Sequence, residues 1–357
     1  MKKKITLSFL LGFLLSAVGL YLAFRNVPVI DIMAYLADIR YIWILPSSGL
    51  VILGFVIRVI RWRIILGPTK KIGFWSAFHP LMISFTINCI LPGRLGELAR
   101  PAVLMKKEAV GYSTGLATVA VERAFDMGLV IAMFLAVYRF INIDPNIHIS
   151  IGGTVLNRHT LETIVMGMVQ IGVLLIIGML LVSFQRSRTF FQQVILKIPA
   201  LLFFTGERFR ETVTRRICTP LVRLMDNFSM GFKLIRSPVK ILACLGLSMS
   251  VWVLAALSYY LLALGCPGIE ISLPEMAAVM VITCIFIALP SVPGYWGLWE
   301  AGGIFALSMF GVSQKEAAGF TLANHAVQMF PVIIIGFVSA FITGVNIWRP
   351  SVDTPGG

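Results

Sequence analysis

The stretch Ile87–Glu108, INCILPGRLGELARPAVLMKKE, decides how the rest of the chain is read. An apolar run enters it, Pro92 and Gly93 break the run, and Arg94, Glu97 and Arg100 follow at once. Proline lacks the helical N–H and glycine loosens the backbone, so a helix arriving here ends here. A second short helix then closes on Lys106 and Lys107. Whether the first of these two helices crosses a membrane depends on the chain around it.

That chain is apolar. Of 357 residues, 58% are hydrophobic and 13% charged, and the mean hydropathy is +0.90. Several runs approach the roughly 20 apolar residues that span a bilayer, which excludes an ordinary soluble domain. The 30 Lys and Arg against 16 Asp and Glu mark cytoplasmic loops and anionic lipid surfaces in such a protein, with no nucleic acid expected. Lys2–Lys4 precede an apolar stretch, Ile5–Phe24, that is too long for a signal-peptide core and lacks a cleavage site. It reads as a retained first span with a cytoplasmic N-terminus.

Chemistry-bearing motifs are absent from the sequence. Cys89, Cys218, Cys244, Cys266 and Cys284 form no CxxC pair, and His79, His148, His159 and His325 form no ligand cluster. There is no phosphate-binding glycine motif and no nucleophile elbow. No catalytic residue, metal or cofactor is expected, and the chain does not read as an enzyme.

Further apolar stretches run over 41–60, 75–91, 114–140, 161–184, 239–264, 273–289 and 316–348, eight in all with the first. The loop Arg61–Lys71 lies inside if the N-terminus does. A full crossing at 75–91 would then export Lys106 and Lys107, against the positive-inside bias. A re-entrant hairpin turning at Pro92-Gly93 removes the conflict, because broken helices are tolerated at membrane depth where protein buries them. The eleven basic and three acidic residues of 185–240 then fall inside.

The second half repeats the pattern. Pro293-Gly294-Tyr295-Trp296-Gly297 matches the PGxxG of Pro92–Gly96, and each is followed by a glutamate, Glu97 or Glu300. About thirty residues later, polar groups interrupt an apolar helix: Glu122, Arg123 and Asp126 in one half, Asn324 and His325 in the other. Charge counting makes the second hairpin open outward, the mark of an inverted repeat. The expected fold is therefore an all-α polytopic membrane protein with about six full transmembrane helices and two opposed re-entrant hairpins. It forms one membrane domain over 1–348, divided into a first half 1–184, a cytoplasmic basic segment 185–238 and a second half 239–348, before a polar tail 349–357. Both termini are expected in the cytoplasm, at a bacterial or archaeal inner membrane. Tyr41, Trp43 and Tyr138 mark outer span ends, and Trp62, Trp75 and Trp348 inner ones; Arg58 is expected to snorkel to the cytoplasmic face.

The segments LPGRLGELARP, ERAFD and PSVPGYWGLWE resemble the lysylphosphatidylglycerol synthase transmembrane family of flippase-like integral membrane proteins, over nearly the whole chain. The resemblance implies a relative of the lipid-flipping domain of the multiple peptide resistance factor. The sequence ends at NIWRPSVDTPGG, without that factor's aminoacyl transferase, so lysyl transfer is not expected. It implies no catalytic set.

A helix starting at mid-membrane presents free N–H groups and a positive dipole end, which suits an anionic head group. The candidate substrate-binding residues are Gly93, Arg94, Glu97, Arg100, Gly294, Trp296 and Glu300, with Glu300 as a partner for Arg94 or a gating carboxylate. Alternatively, the glycines only pack helices and the charges only pair. Glu122, Arg123 and Asp126 lie within little more than one turn and are expected to form a buried charge network with Arg94 or Arg100, because lone charges at mid-span cost roughly 3 kcal/mol each. His325 is either a gating or proton-linked residue or a helix contact. The segment 185–240 alternates basic and apolar residues, with Leu221, Leu224, Met225, Phe228, Phe232 and Ile235 at helical spacing; it reads as an amphipathic surface for anionic lipid, or for a cytoplasmic partner. The expected function is translocation of a phospholipid or lipid-linked anionic head group between leaflets. The alternatives are a non-transporting scaffold for a lipid or envelope biosynthesis enzyme, and a lipid-modifying enzyme, for which no nucleophile or metal cluster is found.

Overall fold

The computed structural model describes residues 13–347 apart from 15, 22, 26, 92–93, 141–148, 152–153, 157–162, ten positions scattered over 164–183, and 202–205, 232–236 and 289–292. Gly93, the tail 349–357, Trp348, Phe232 and Ile235, and much of the expected spans 5–24 and 161–184, lie outside the described residues.

The described chain is helical apart from one short hairpin, β1 (Ile149–Ile151) with β2 (Thr154–Leu156). In order, the helices are α1 (Val29–Asp38), α2 (Ile44–Leu66), α3 (Phe74–Ile90), α4 (Gly96–Glu108), α5 (Tyr112–Phe140), α6 (Gln185–Leu201), α7 (Glu207–Val213), α8 (Thr219–Gly231), α9 (Pro238–Ala263), α10 (Leu273–Ile287), α11 (Leu298–Ser308) and α12 (Gln314–Thr343). Among the described residues, three stretches are long and apolar enough to cross a membrane: Tyr41–Leu66, Pro238–Ala263 and Gln314–Thr343. At 1.5 Å per residue, α3, α4, α10 and α11 reach only about 16–25 Å, short of a hydrocarbon core of about 30 Å. Each pair, α3–α4 and α10–α11, packs as a helical hairpin.

The packing pairs the two halves reciprocally. Helix α2 lies along α9, α3 packs on α12, and α10 packs on α5. Each element thus meets the partner that exchanging the two halves would give it. Helices α2 and α9 run antiparallel, since Ser47 near the start of α2 bonds Ser258 near the end of α9, while Arg61 reaches back to Ser248. One core combines α1, α9, α10, α11 and α12 around Tyr35, Tyr259 and Phe305; a second joins α2 through α5 around Trp62, Leu81 and Leu104.

Local chemistry sets the ends of the hairpins. At the base of the first, the Lys70 ammonium donates to the Glu108 main-chain carbonyl and sits 3.1 Å from its carboxylate; the Ser76 hydroxyl and Lys70 hold that carboxyl below the usual carboxylate range. The second hairpin opens with a capping box in which Ser272 N–H and Oγ donate to Glu275 at 2.7 and 2.6 Å.

Candidate functional site

The two hairpin tips meet. Arg94 and Tyr295, the residues that follow the two Pro-Gly pairs, both adopt left-handed backbone, with φ of 54° and 62°. Such values are uncommon for side chains other than glycine and persist only where the surroundings enforce them. The Arg94 guanidinium lies 5.8 Å from the centre of the Tyr295 ring and donates to the carbonyl of Ile287, at the end of α10, at 2.9 Å. Equivalent positions of the two halves therefore face each other across the junction. The first tip is held by Asn88 and Ser84 of α3: Asn88 Oδ1 accepts the Gly96 N–H at 2.8 Å, and the Ser84 hydroxyl donates to the Gly96 carbonyl at 2.7 Å. Gly294 adopts φ of 67°, and an added Cβ would stand 3.1 Å from the Cys89 carbonyl of the first hairpin.

Beside the junction lies an ion network at the crossing of α2, α4 and α5. Arg61 donates to Glu122 at 2.9 Å, to Asp126 at 2.5 Å and to the Ser248 hydroxyl at 2.6 Å. Arg100 donates to the other Glu122 oxygen at 2.5 Å, its guanidinium lying 5.1 Å from the Trp62 ring centre. Arg123 reaches Asp126 at 3.1 Å, Glu122 at 3.3 Å and Glu97 at 3.7 Å, and Arg58 lies 3.7 Å from Asp126. The Arg61 and Glu122 side chains are wholly buried, whereas those of Arg58 and Arg123 keep 17% and 25% of their surface exposed. Four arginines face three carboxylates and Arg94 at the junction adds a fifth positive charge, so the cluster carries an excess of positive charge, and the exposed part of it is where an anion can approach.

In the second half the link between hairpin and long helix is built again with its polarity reversed. Glu300 of α11 and His325 of α12 meet at 2.6 Å, as Arg100 of α4 and Glu122 of α5 do in the first. Glu122 is the eleventh residue of α5 and His325 the twelfth of α12. The His325 ring stacks on Trp299 at 4.5 Å and 3°, with Trp296 4.5 Å away on a tilted plane.

The structure thus brings together Glu97, Arg100, Glu122, Arg123 and Asp126 as one network, with Arg94 at the tip junction beside it. Glu300 and Trp296 gather around His325; Glu300 does not meet Arg94. Two further expectations change. Arg58 turns inward toward Asp126 rather than snorkelling to the surface, since the carboxylate attracts it and Phe55 and Phe85 flank it at 5.8 and 5.7 Å. Trp62 is fully buried, with its indole N–H donating to Thr118 at 3.1 Å, so it packs the core instead of an interface. Sequence reading missed Arg61, which it counted among loop charges. The signal was its i, i+3 spacing from Arg58 within an apolar run, which puts both on one helix face. Among the described residues no three His, Cys, Asp or Glu side chains are grouped to hold a metal ion.

Paired short hairpins and a buried arginine–carboxylate cluster among long apolar helices define a helical membrane protein that holds charged groups inside its helix bundle. The sequence matches the lysylphosphatidylglycerol synthase TM region over residues 9–336, and the chain belongs to that family. It is similar to a UPF0104 membrane protein of Methanocaldococcus jannaschii, 22% identical over 268 residues that cover 74% of this chain and 96% of that one. A UPF0104 membrane protein of Methanothermobacter thermautotrophicus is 23% identical over 85% of this chain and 87% of its own length. Glycosyltransferase AglD of Haloferax volcanii is 29% identical over 119 residues, 32% of this chain but only 19% of that protein. No solved structure matches the chain.

Proposed function

We propose that this protein moves a phospholipid or lipid-linked anionic head group between leaflets, and that it is not an enzyme. The observation that carries the reading is the excess of arginine over carboxylate beside two hairpin tips that face each other. A head-group phosphate would exchange its water for the guanidinium groups of Arg94, Arg123 and Arg58, whose charge the carboxylates leave partly unanswered. On this reading α3–α4 and α10–α11 are re-entrant from opposite sides, within the two halves 1–184 and 239–348, and the basic segment 185–238 rests on anionic lipid at the cytoplasmic face.

Two measurements test it. In proteoliposomes, Arg94→Gln should lower lipid translocation about tenfold or more, the effect of losing about 1.4 kcal/mol of charge-assisted binding. Its melting temperature in detergent should stay near the parent value, because Arg94 is half-buried and bonded to one carbonyl. Normal translocation by Arg94→Gln, or none by the parent, would shift the reading to a scaffold for a lipid-synthesis enzyme. For topology, single cysteines replacing Lys107 and Gly311 in a cysteine-free background should differ: an impermeant thiol reagent outside whole cells labels position 311 and leaves 107 unlabelled. Strong labelling at 107 would restore eight full crossings.

A further inference from the structure

The His325 imidazole faces two acceptors. Nε2 lies 2.8 Å from the Gly294 carbonyl, and Nδ1 lies 2.6 Å from Glu300 Oε1. A carbonyl oxygen only accepts, so Nε2 carries a proton and donates it. Nδ1 and the carboxylate oxygen cannot face each other at 2.6 Å with two lone pairs, so a second proton lies between them. The other carboxylate oxygen is taken by the Gly297 N–H at 2.6 Å. The closed arrangement therefore requires one shared proton. If that proton leaves to water, imidazole and carboxylate remain in contact with lone pair against negative charge, and the contact must open.

What would open is the second hairpin tip. Gly294 and Gly297 bracket Tyr295, the residue against which Arg94 lies, so the groups that His325 and Glu300 hold flank the tip junction itself. Both side chains are buried to within 1%. Among the described residues, the titratable groups around them are Tyr259 of α9, which contacts Asn324 and faces Cys284 of α10, and Arg94, Cys89 and Tyr295 at the junction. On α12, one turn before and immediately beside His325, Thr321 Oγ1 and Asn324 Oδ1 are buried polar atoms with no hydrogen-bond partner among the described residues. Unpaired polar atoms next to a buried ionisable pair suit a path by which a proton arrives and leaves.

We propose that the His325–Glu300 pair is a proton-binding site whose occupancy closes the second hairpin tip onto α12, so that lipid passage past the tips is coupled to a proton. The proposal rests on the transport reading, and its test separates the two. Lipid translocation is measured in proteoliposomes with and without a pH gradient of about one unit, which is worth up to about tenfold in lipid distribution per coupled proton. The parent rate should depend on the gradient, and Glu300→Gln, which keeps the amide-length contact but cannot share the proton, should bring the ratio of rates to about one. Melting temperature in detergent is followed in parallel from about pH 5 to about pH 9. Because the contact needs the proton, its stabilisation is present at the acid end and lost as pH rises; the parent should lose melting temperature relative to Glu300→Gln across that range. Translocation that ignores the gradient in the parent, while Arg94→Gln still lowers it about tenfold or more, would overturn coupling and leave the lipid reading standing. If the parent moves no lipid, the lipid reading fails, and parallel melting curves for parent and Glu300→Gln would overturn the proton site as well.

Discussion

Replacing Arg61 by alanine is expected to lower stability by about 3 kcal/mol or more, the largest loss from any single arginine of the network. The charge count alone argues for a smaller effect. Removing Arg61 leaves Arg100 on Glu122 and Arg123 on Asp126, so neither carboxylate is stranded. What disappears is the one side chain that bridges both carboxylates and the Ser248 hydroxyl of α9, together with a fully buried side-chain volume. Arg61→Lys keeps the charge but, as a point charge, cannot fork across two carboxylates, so it should fall between alanine and the parent. Arg58→Ala is the comparison. Its side chain is partly exposed and 3.7 Å from Asp126, and its loss should cost about 1 kcal/mol. A double-mutant cycle of Arg61→Ala with Asp126→Asn should show coupling above about 1 kcal/mol in thermal or denaturant unfolding in detergent. Equal losses for Arg58→Ala and Arg61→Ala, with no coupling to Asp126, would mean that Arg61 does not bridge α2 to α5.

The importance of Arg61 also shows where the sequence stops being legible. Membrane class, the helix breaks at the two PGxxG motifs and a buried network joining the Glu122 trio to Arg94 or Arg100 can all be read from composition, spacing and the cost of a lone charge; that Arg100 is the one that meets Glu122 is seen only in the fold. The reciprocal packing of α3 on α12 and α10 on α5 gives the repeated motif a spatial counterpart. The partner of each charge is not legible, because helices in a membrane are selected by close contact rather than by an apolar stripe facing a core. Arg61 sits where a cytoplasmic loop charge is equally expected, and only the antiparallel placement of α2 on α9 turns it inward. Glu300 follows the second PGxxG as Glu97 follows the first, yet the fold sets it against His325, which stands 25 positions along the chain, and not against Arg94. Arg94 and Tyr295 share a place in the PGxxG motif but no side-chain chemistry, and that they adopt the same left-handed backbone and face each other is visible only in the fold.

Gly96→Ala should be nearly as damaging, and helix propensity predicts the opposite sign. Gly96 opens α4 with ordinary helical backbone, so alanine would by itself favour the helix by about 1 kcal/mol. The close approach of α3 decides the outcome. An added Cβ would stand 1.8 Å from the Ser84 main-chain carbonyl oxygen and 2.7 Å from Asn88 Oδ1, where ordinary contact begins at 3.4 Å. A backbone carbonyl in mid-helix cannot swing aside as a side chain can, so the two arms of the hairpin must separate by more than an ångström. Separation breaks the Asn88 and Ser84 bonds that hold the tip and draws Arg94 away from Ile287. The expected loss is about 3 kcal/mol of stability, with lipid translocation lost alongside. Removing the side chain in the way, by Asn88→Ala in the same chain, should not rescue it, because the shortest contact is to backbone. Gly54→Ala supplies the control, since it lies inside α2 with nothing within 4 Å of the added carbon, and it should be neutral or stabilising by up to about 1 kcal/mol. If Gly96→Ala melts with Gly54→Ala, the arms of the first hairpin do not pack this closely, and a tip held by Asn88 and Ser84 would have to be abandoned along with the junction built on it.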